Sequence, residues 1–143
     1  MFIGEYTYNL DNKGRLAIPA KFRDELSGGA IVTRGLDGCL WIFTKKEWGI
    51  LAEKINRLPI SQSHSRAFSR LMLSNAYETE LDIQGRILIP ENLRIYASLN
   101  KKIVIAGVYN RLEIWDEKIW HTYRARTEKE SGDIAEKLGE LGI

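Results

Sequence analysis

In the first half of the chain, short apolar runs separated by turn residues give way to longer apolar stripes with helical spacing. Glu5 to Leu10, rich in Tyr and Thr, predicts a strand, and Arg15 to Ile18 predicts another. Asp11-Asn12-Lys13-Gly14 between them reads as a tight turn, with Asp suited to its first position and Gly tolerating positive φ at its last. The two runs are expected to form a hairpin with Gly14 at a bulge. Pro19 ends it, and a short helix is expected from Ala20 to Leu26, stopped by Ser27-Gly28-Gly29. Ala30 to Thr33 and Cys39 to Phe43 predict two further strands around the polar turn Arg34 to Gly38. Thr44 and Glu47 have capping-box spacing. Trp48, Leu51, Ala52, Ile55 and Leu58 then form a helical stripe that Pro59 ends. Ser61 to Ser65 reads as a linker, followed by a shorter helix presenting Phe68, Leu71 and Met72.

The pattern then starts again. Asp11-Asn12-Lys13-Gly14-Arg15-Leu16-Ala17-Ile18-Pro19 returns as Asp82-Ile83-Gln84-Gly85-Arg86-Ile87-Leu88-Ile89-Pro90. Tyr6 answers Tyr77, Leu10 answers Leu81 and Arg23 answers Arg94. With a one-residue slip, Gly35 answers Gly107, Leu40 answers Leu112, Ile42 answers Ile114 and Trp48 answers Trp120. This internal repeat divides the chain into a first unit over residues 5–47, connecting helices over 48–75, a second unit over 76–119 and a helical tail over 120–143. In the second unit, strands are expected from Lys102 to Ala106 and from Leu112 to Trp115, then a helix from Glu117. Ile134, Leu138 and Leu141 mark a last stripe in a tail that either docks on a neighbour or stays loose. Units this small cannot bury enough of their own surface, so the copies must pack together, within or between chains. A pseudo-twofold, oligomeric fold is expected.

Composition narrows the picture little. A chain of 143 residues, 44% hydrophobic, is ordinary for a soluble globular protein. No apolar run approaches the ~20 residues needed to cross a bilayer, and no signal-peptide pattern opens the chain. A cytoplasmic location without a membrane partner is expected. Cys39 lies alone in an apolar stretch and reads as a buried small hydrophobe. His64 and His121 stand far apart without metal-ligand spacing, so neither metal nor cofactor is expected. The net charge of +2 names no partner, but its distribution is uneven. Residues 1–75 carry 11 Lys and Arg against 7 acids, and residues 76–143 carry 10 against 12. A polyanion would meet the first copy preferentially.

No phosphate-cradling loop, nucleophile elbow or ligand cluster supports an enzyme. Asp11 and Asp82 could pair across a pseudo-twofold axis as acid and base, but an Asp opening a turn normally accepts local backbone amides. Arg15 and Arg86 leave their turns four residues after an Asp, which opens two readings. Each guanidinium is held by an Asp of its own or the opposite copy, or each reaches DNA, contacting phosphate or the O6 and N7 of guanine. Lys13, Lys21 and Arg23 surround Arg15, where the second copy has Gln84, Asn92 and Arg94. Lys21 and Arg23 are either the solvated face of a short helix or phosphate contacts. Arg66 and Arg70 read as an exposed helix edge. Trp41, Trp48, Trp115 and Trp120 stand at matching places in the copies and read as core rather than as base-stacking platforms.

The duplicated Asp-x-[Lys/Gln]-Gly-Arg, each followed by [Ala/Leu]-Ile-Pro, resembles the MraZ family of bacterial transcriptional regulators. Val32 to Leu40, Ala106-Gly107 and Leu112-Glu113-Ile114-Trp115 extend the resemblance over essentially the whole chain. It implies an α+β fold: two tandem AbrB-like β-hairpin/helix units forming a double-split β-barrel with flanking helices, assembled into a ring-shaped homo-oligomer. It further implies a nucleoid-associated DNA-binding repressor that recognises short G-rich direct repeats upstream of its own operon, in the division and cell-wall gene cluster. The family motif falls on Asp11, Gly14 and Arg15 and on Asp82, Gly85 and Arg86, with Lys13, Lys21 and Arg23 as accompanying DNA contacts. The competing reading is an AbrB-fold protein-binding module that docks a partner in the manner of an antitoxin.

Overall fold

The computed structural model describes residues 1–143 as a mixed α+β fold built from antiparallel strand pairs and five α-helices. The first copy contributes β1 (Phe2–Asn9), β2 (Arg15–Ala17), β3 (Ala30–Arg34) and β4 (Leu40–Thr44). Helices α1 (Lys45–Asn56) and α2 (Ser63–Leu73) lead into the second copy. That copy contains β5 (Tyr77–Thr79), β6 (Arg86–Leu88), α3 (Glu91–Tyr96), β7 (Lys102–Tyr109) and β8 (Leu112–Asp116). Helices α4 (Glu117–Lys129) and α5 (Ser131–Lys137) and a 3-10 turn (Gly139–Leu141) complete the chain.

The copies exchange strands. The six-stranded sheet has the order β1-β7-β8-β4-β3-β5, and β2 and β6 form a separate two-stranded sheet. The opening strand of each copy therefore pairs with the third strand of the other, and β4 meets β8 at the centre. The larger sheet is open, with β1 and β5 at its edges, and no closed barrel forms.

This exchange corrects the hairpin expected within the first copy. Only the Leu10–Leu16 bridge links its two strands; β1 runs instead along the full length of β7. Pairing with β7 satisfies far more backbone groups than a hairpin on the three-residue β2 could. The same pairing starts β1 before Glu5 and carries β7 beyond Ala106, with Gly4 opposite Gly107. A Cβ on Gly107 would stand 2.6 Å from the Ile3 backbone nitrogen, so this crossing requires glycine.

One core serves both copies. Its 18 buried residues include Leu16, Ile18, Phe22, Val32 and Ile42 from the first copy, and Ile87, Ile89, Leu93, Ile105 and Ile114 from the second. Each such side chain stabilises by about 1.5–3 kcal/mol when fully buried, and both copies contribute to the cluster. A second cluster holds Cys39, Val104 and Trp115 beneath Trp41, Trp120 and Tyr123. Glu113 ties the copies at this point, accepting from Trp41 Nε1 at 2.9 Å, Trp115 Nε1 at 3.2 Å and Arg111 Nη2 at 3.1 Å. Trp41 and Trp115 thus pack and hydrogen-bond within the protein, Trp120 packs on Trp115, and Trp48 is half-buried against Phe43.

Two local expectations change. The helix expected from Ala20 to Leu26 is a single 3-10 turn, Ala20–Phe22, followed by further i to i+3 turns. Its counterpart α3 is α-helical. The first turn of α3 carries Glu91, which favours the helix dipole, whereas the first-copy segment has no acid in its first turn. The linker expected from Ser61 to Ser65 is cut short because α2 begins at Ser63 and buries Ser65. Helix α2 docks through its carboxyl end, where the Met72 carbonyl accepts from buried Thr33 Oγ1 at 2.8 Å. The capping of α1 matches its sequence signature, with Thr44 Oγ1 accepting from the Glu47 amide at 3.1 Å. The tail stripe stays partly open, with Ile134, Leu138 and Leu141 all exposed.

Candidate nucleic-acid interface

Each Asp-x-x-Gly-Arg segment folds as the same hydrogen-bonded turn. In the first, Asp11 Oδ1 accepts from the Lys13 amide at 2.9 Å and the Arg15 amide at 2.8 Å, and Oδ2 accepts from Arg15 Nε at 2.7 Å. In the second, Asp82 Oδ1 accepts from the Gln84 and Arg86 amides, each at 2.9 Å, and Oδ2 from Arg86 Nε at 2.8 Å. Backbone bonds close both turns: Gly14 and Gly85 donate to the Asp carbonyls at 3.1 and 2.9 Å. Both glycines need positive φ, 78° and 74°.

The turns also hold each other. The Ile18 amide donates to the Gly85 carbonyl at 2.9 Å, and the Ile89 amide to the Gly14 carbonyl at 2.8 Å. Arg23 Nε donates to the Ile18 carbonyl and Arg94 Nε to the Ile89 carbonyl, both at 2.9 Å. Arg23 lies over Gly85 and Arg94 over Gly14, where a Cβ would collide with the guanidinium. Sequence reasoning grouped Arg23 with the outward-reaching cations and did not select Arg94. The available signal was the echo itself, since these arginines occupy matching positions.

The β2–β6 register brings Arg15 opposite Leu88 and Ala17 opposite Arg86. Leu16 and Ile87 point into the core, so alternation turns Arg15, Ala17, Arg86 and Leu88 to one outer face. Arg15 and Arg86 are half-buried, and Arg86 Nη1 also lies 3.8 Å from Asp11 Oδ2. Each Arg therefore pairs with its own Asp, and one longer contact crosses between copies. Lys13 is exposed at its turn. Lys21 Nζ lies 5.1 Å from the Tyr6 ring centre and 5.4 Å from that of Phe22, within cation–π reach.

The Arg15 backbone amide, the guanidinium and the Lys13 amide hold the Asp11 carboxyl below its ordinary range, despite an opposing effect of burial. Arg86 and Gln84 do the same for Asp82. The carboxylates thus stay charged and occupy the Nε edge of each guanidinium. The opposite Nη edge retains paired donors at the geometry that guanine O6 and N7 or a phosphate accepts. No cluster of His, Cys, Asp or Glu suited to a metal is present, and burial pushes the Cys39 thiol far up, which keeps it protonated.

The family described as "MraZ protein, putative antitoxin-like" matches residues 1–71 and, again, residues 72–139. The chain belongs to the MraZ family. Its relatives include proteins of Alkaliphilus oremlandii at 50% identity and of Natranaerobius thermophilus and Clostridium acetobutylicum at 49%, each over all 143 residues and the full length of both chains. All three are named transcriptional regulator MraZ, the name of a regulator and not of an enzyme. The two family matches coincide with the tandem copies whose turns meet on the β2–β6 face. No helix of this MraZ chain is long and apolar enough to cross a membrane.

Proposed function

We propose that the outer face of the β2–β6 pair binds double-stranded DNA and that the protein is a sequence-specific transcriptional regulator. The observation that carries this reading is the convergence of Arg15 and Arg86 on one face, each oriented by an Asp bonded to its Nε. Pre-orientation lowers the entropy lost when the Nη edge meets a base. Arg15 reads guanine, and Arg86 makes the corresponding contact from the second copy. Lys13, Lys21 and Arg23 supply positive charge along the first copy, with Arg23 acting mainly by holding the second turn. The regulator names of its relatives support the same reading.

The finer features follow the family. We read the β2–β6 pair and the open sheet, joined through a shared core, as the two layers of a double-split β-barrel. The functional form is a ring-shaped homo-oligomer, supported by exposed apolar side chains such as Ile3, Ile60 and Tyr109. The ring binds short promoter direct repeats in the nucleoid and represses its own division and cell-wall operon. Tethered modules gain through effective concentration, so a chain of net charge +2 can still bind tightly.

A gel-shift titration on the protein's own upstream region tests ligand and site together. Arg15→Ala should lose about 1–3 kcal/mol per base contact, and Arg86→Ala should weaken binding as well. Unchanged affinity in both folded variants refutes the site. The second reading, antitoxin-like docking of a protein partner, draws on the family's description. Salt separates the two: DNA affinity should fall steeply with ionic strength, and an apolar protein interface should not.

A further inference from the structure

The second turn repeats the backbone of the first with different side chains. Where the first carries Asn12 and Lys13, the second carries Ile83 and Gln84. Asp82 fixes that turn through the Gln84 and Arg86 amides, so Ile83 has no part in holding it. Nor does Ile83 pack: its relative exposure is 105%, that of an isoleucine with no protein neighbour over its surface. Past Arg86, Leu88 is 39% exposed on the outer face where the first copy has Ala17. A single exposed apolar side chain is ordinary. Here two of them bracket one DNA-facing arginine, at positions that are polar or small in the other copy.

Building on the DNA reading above, we propose that the second turn is the A·T-reading half of the interface, with Ile83 packed on a thymine 5-methyl group beside the base contacted by Arg86. The methyl group is the one apolar feature that base edges present in the major groove, and an apolar side chain is its natural complement. Gln84, next in the chain, carries the amide that matches adenine N6 and N7. The first turn has Asn12 in place of Ile83 and so has no apolar reader, and its Lys13 suits guanine where Gln84 suits adenine. Duplication has thus produced two turns of one geometry that recognise different base pairs.

The test is an anisotropy titration of the full-length protein at one salt concentration. One probe is its own upstream duplex, and the other is the same duplex with every thymidine replaced by deoxyuridine, which deletes only the methyl groups. Wild type should bind the deoxyuridine duplex about fourfold more weakly for each methyl packed, the equivalent of about 0.8 kcal/mol. Ile83→Asn, which installs the first copy's residue, should bind both duplexes alike. Its circular dichroism and native mass should match wild type, because Ile83 supports no contact in the fold. Equal wild-type affinity for the two duplexes overturns the proposal, as does an unaltered ratio in Ile83→Asn. A changed native mass also overturns it, by making Ile83 a subunit contact. Failure of the underlying DNA reading looks different: wild type then binds neither duplex, and both proposals fall.

Discussion

Replacing Gly85 with alanine should destabilise the protein by about 2–4 kcal/mol through an arginine that belongs to the other copy. Two costs contribute. An alanine held at φ of 74° costs about 1–2 kcal/mol. The new Cβ also collides with the Arg23 guanidinium and draws its Nε from the Ile18 carbonyl, a 2.9 Å bond from a charged donor worth about 1.5–3 kcal/mol. Partial relaxation of the arginine keeps the total below the larger sum. Urea unfolding followed by tryptophan fluorescence measures the loss, at one protomer concentration because association contributes to apparent stability. Arg23→Ala provides the decisive comparison. In that background Gly85→Ala should retain only the backbone cost, leaving a coupling of about 1–2 kcal/mol between residues in different copies. A loss below about 0.5 kcal/mol, or the same loss with and without Arg23, refutes the interlocked-turn argument.

Gly49 offers the opposite case: it lies inside α1 with open space around its Cβ position, so Gly49→Ala should raise stability by about 0.5–1 kcal/mol in the same urea assay. Asp11 and Asp82 have folded-state values held below those of the unfolded chain, so their stabilisation is complete above the ordinary Asp value of about 4 and is lost as pH falls through the lowered values. An Asp11→Asn, Asp82→Asn double variant should show a flatter acid limb when urea midpoints are measured from neutral to acid pH; an identical limb counts against the turn geometry. Cys39 is fully buried and its thiol is held protonated, so it should resist a thiol reagent in the native protein and react as soon as urea unfolds it.

Sequence patterns local to one copy transferred well to the structure. The Asp-x-x-Gly-Arg turns, the Thr44 cap of α1 and the start of α4 all follow from neighbours within about four residues. Backbone geometry of that range is written in side-chain size, hydrogen-bonding capacity and tolerance of positive φ. The Asp–Arg pairing is one of the two readings that the four-residue spacing allows, and both arginines adopt it within their own copy.

The tertiary structure decided which copy supplies each partner. Sequence alone determined that two equivalent units exist and that neither can bury its core by itself. A repeat carries no label distinguishing pairing within a copy from pairing across copies, because the residues at the two alternative edges match. The exchange of β1 and β5, the seating of Arg23 over Gly85 and Arg94 over Gly14, and the meeting of Arg15 with Arg86 on one face all depend on that choice. It was made by the total surface buried and backbone bonded over the whole chain, a quantity that no local window contains.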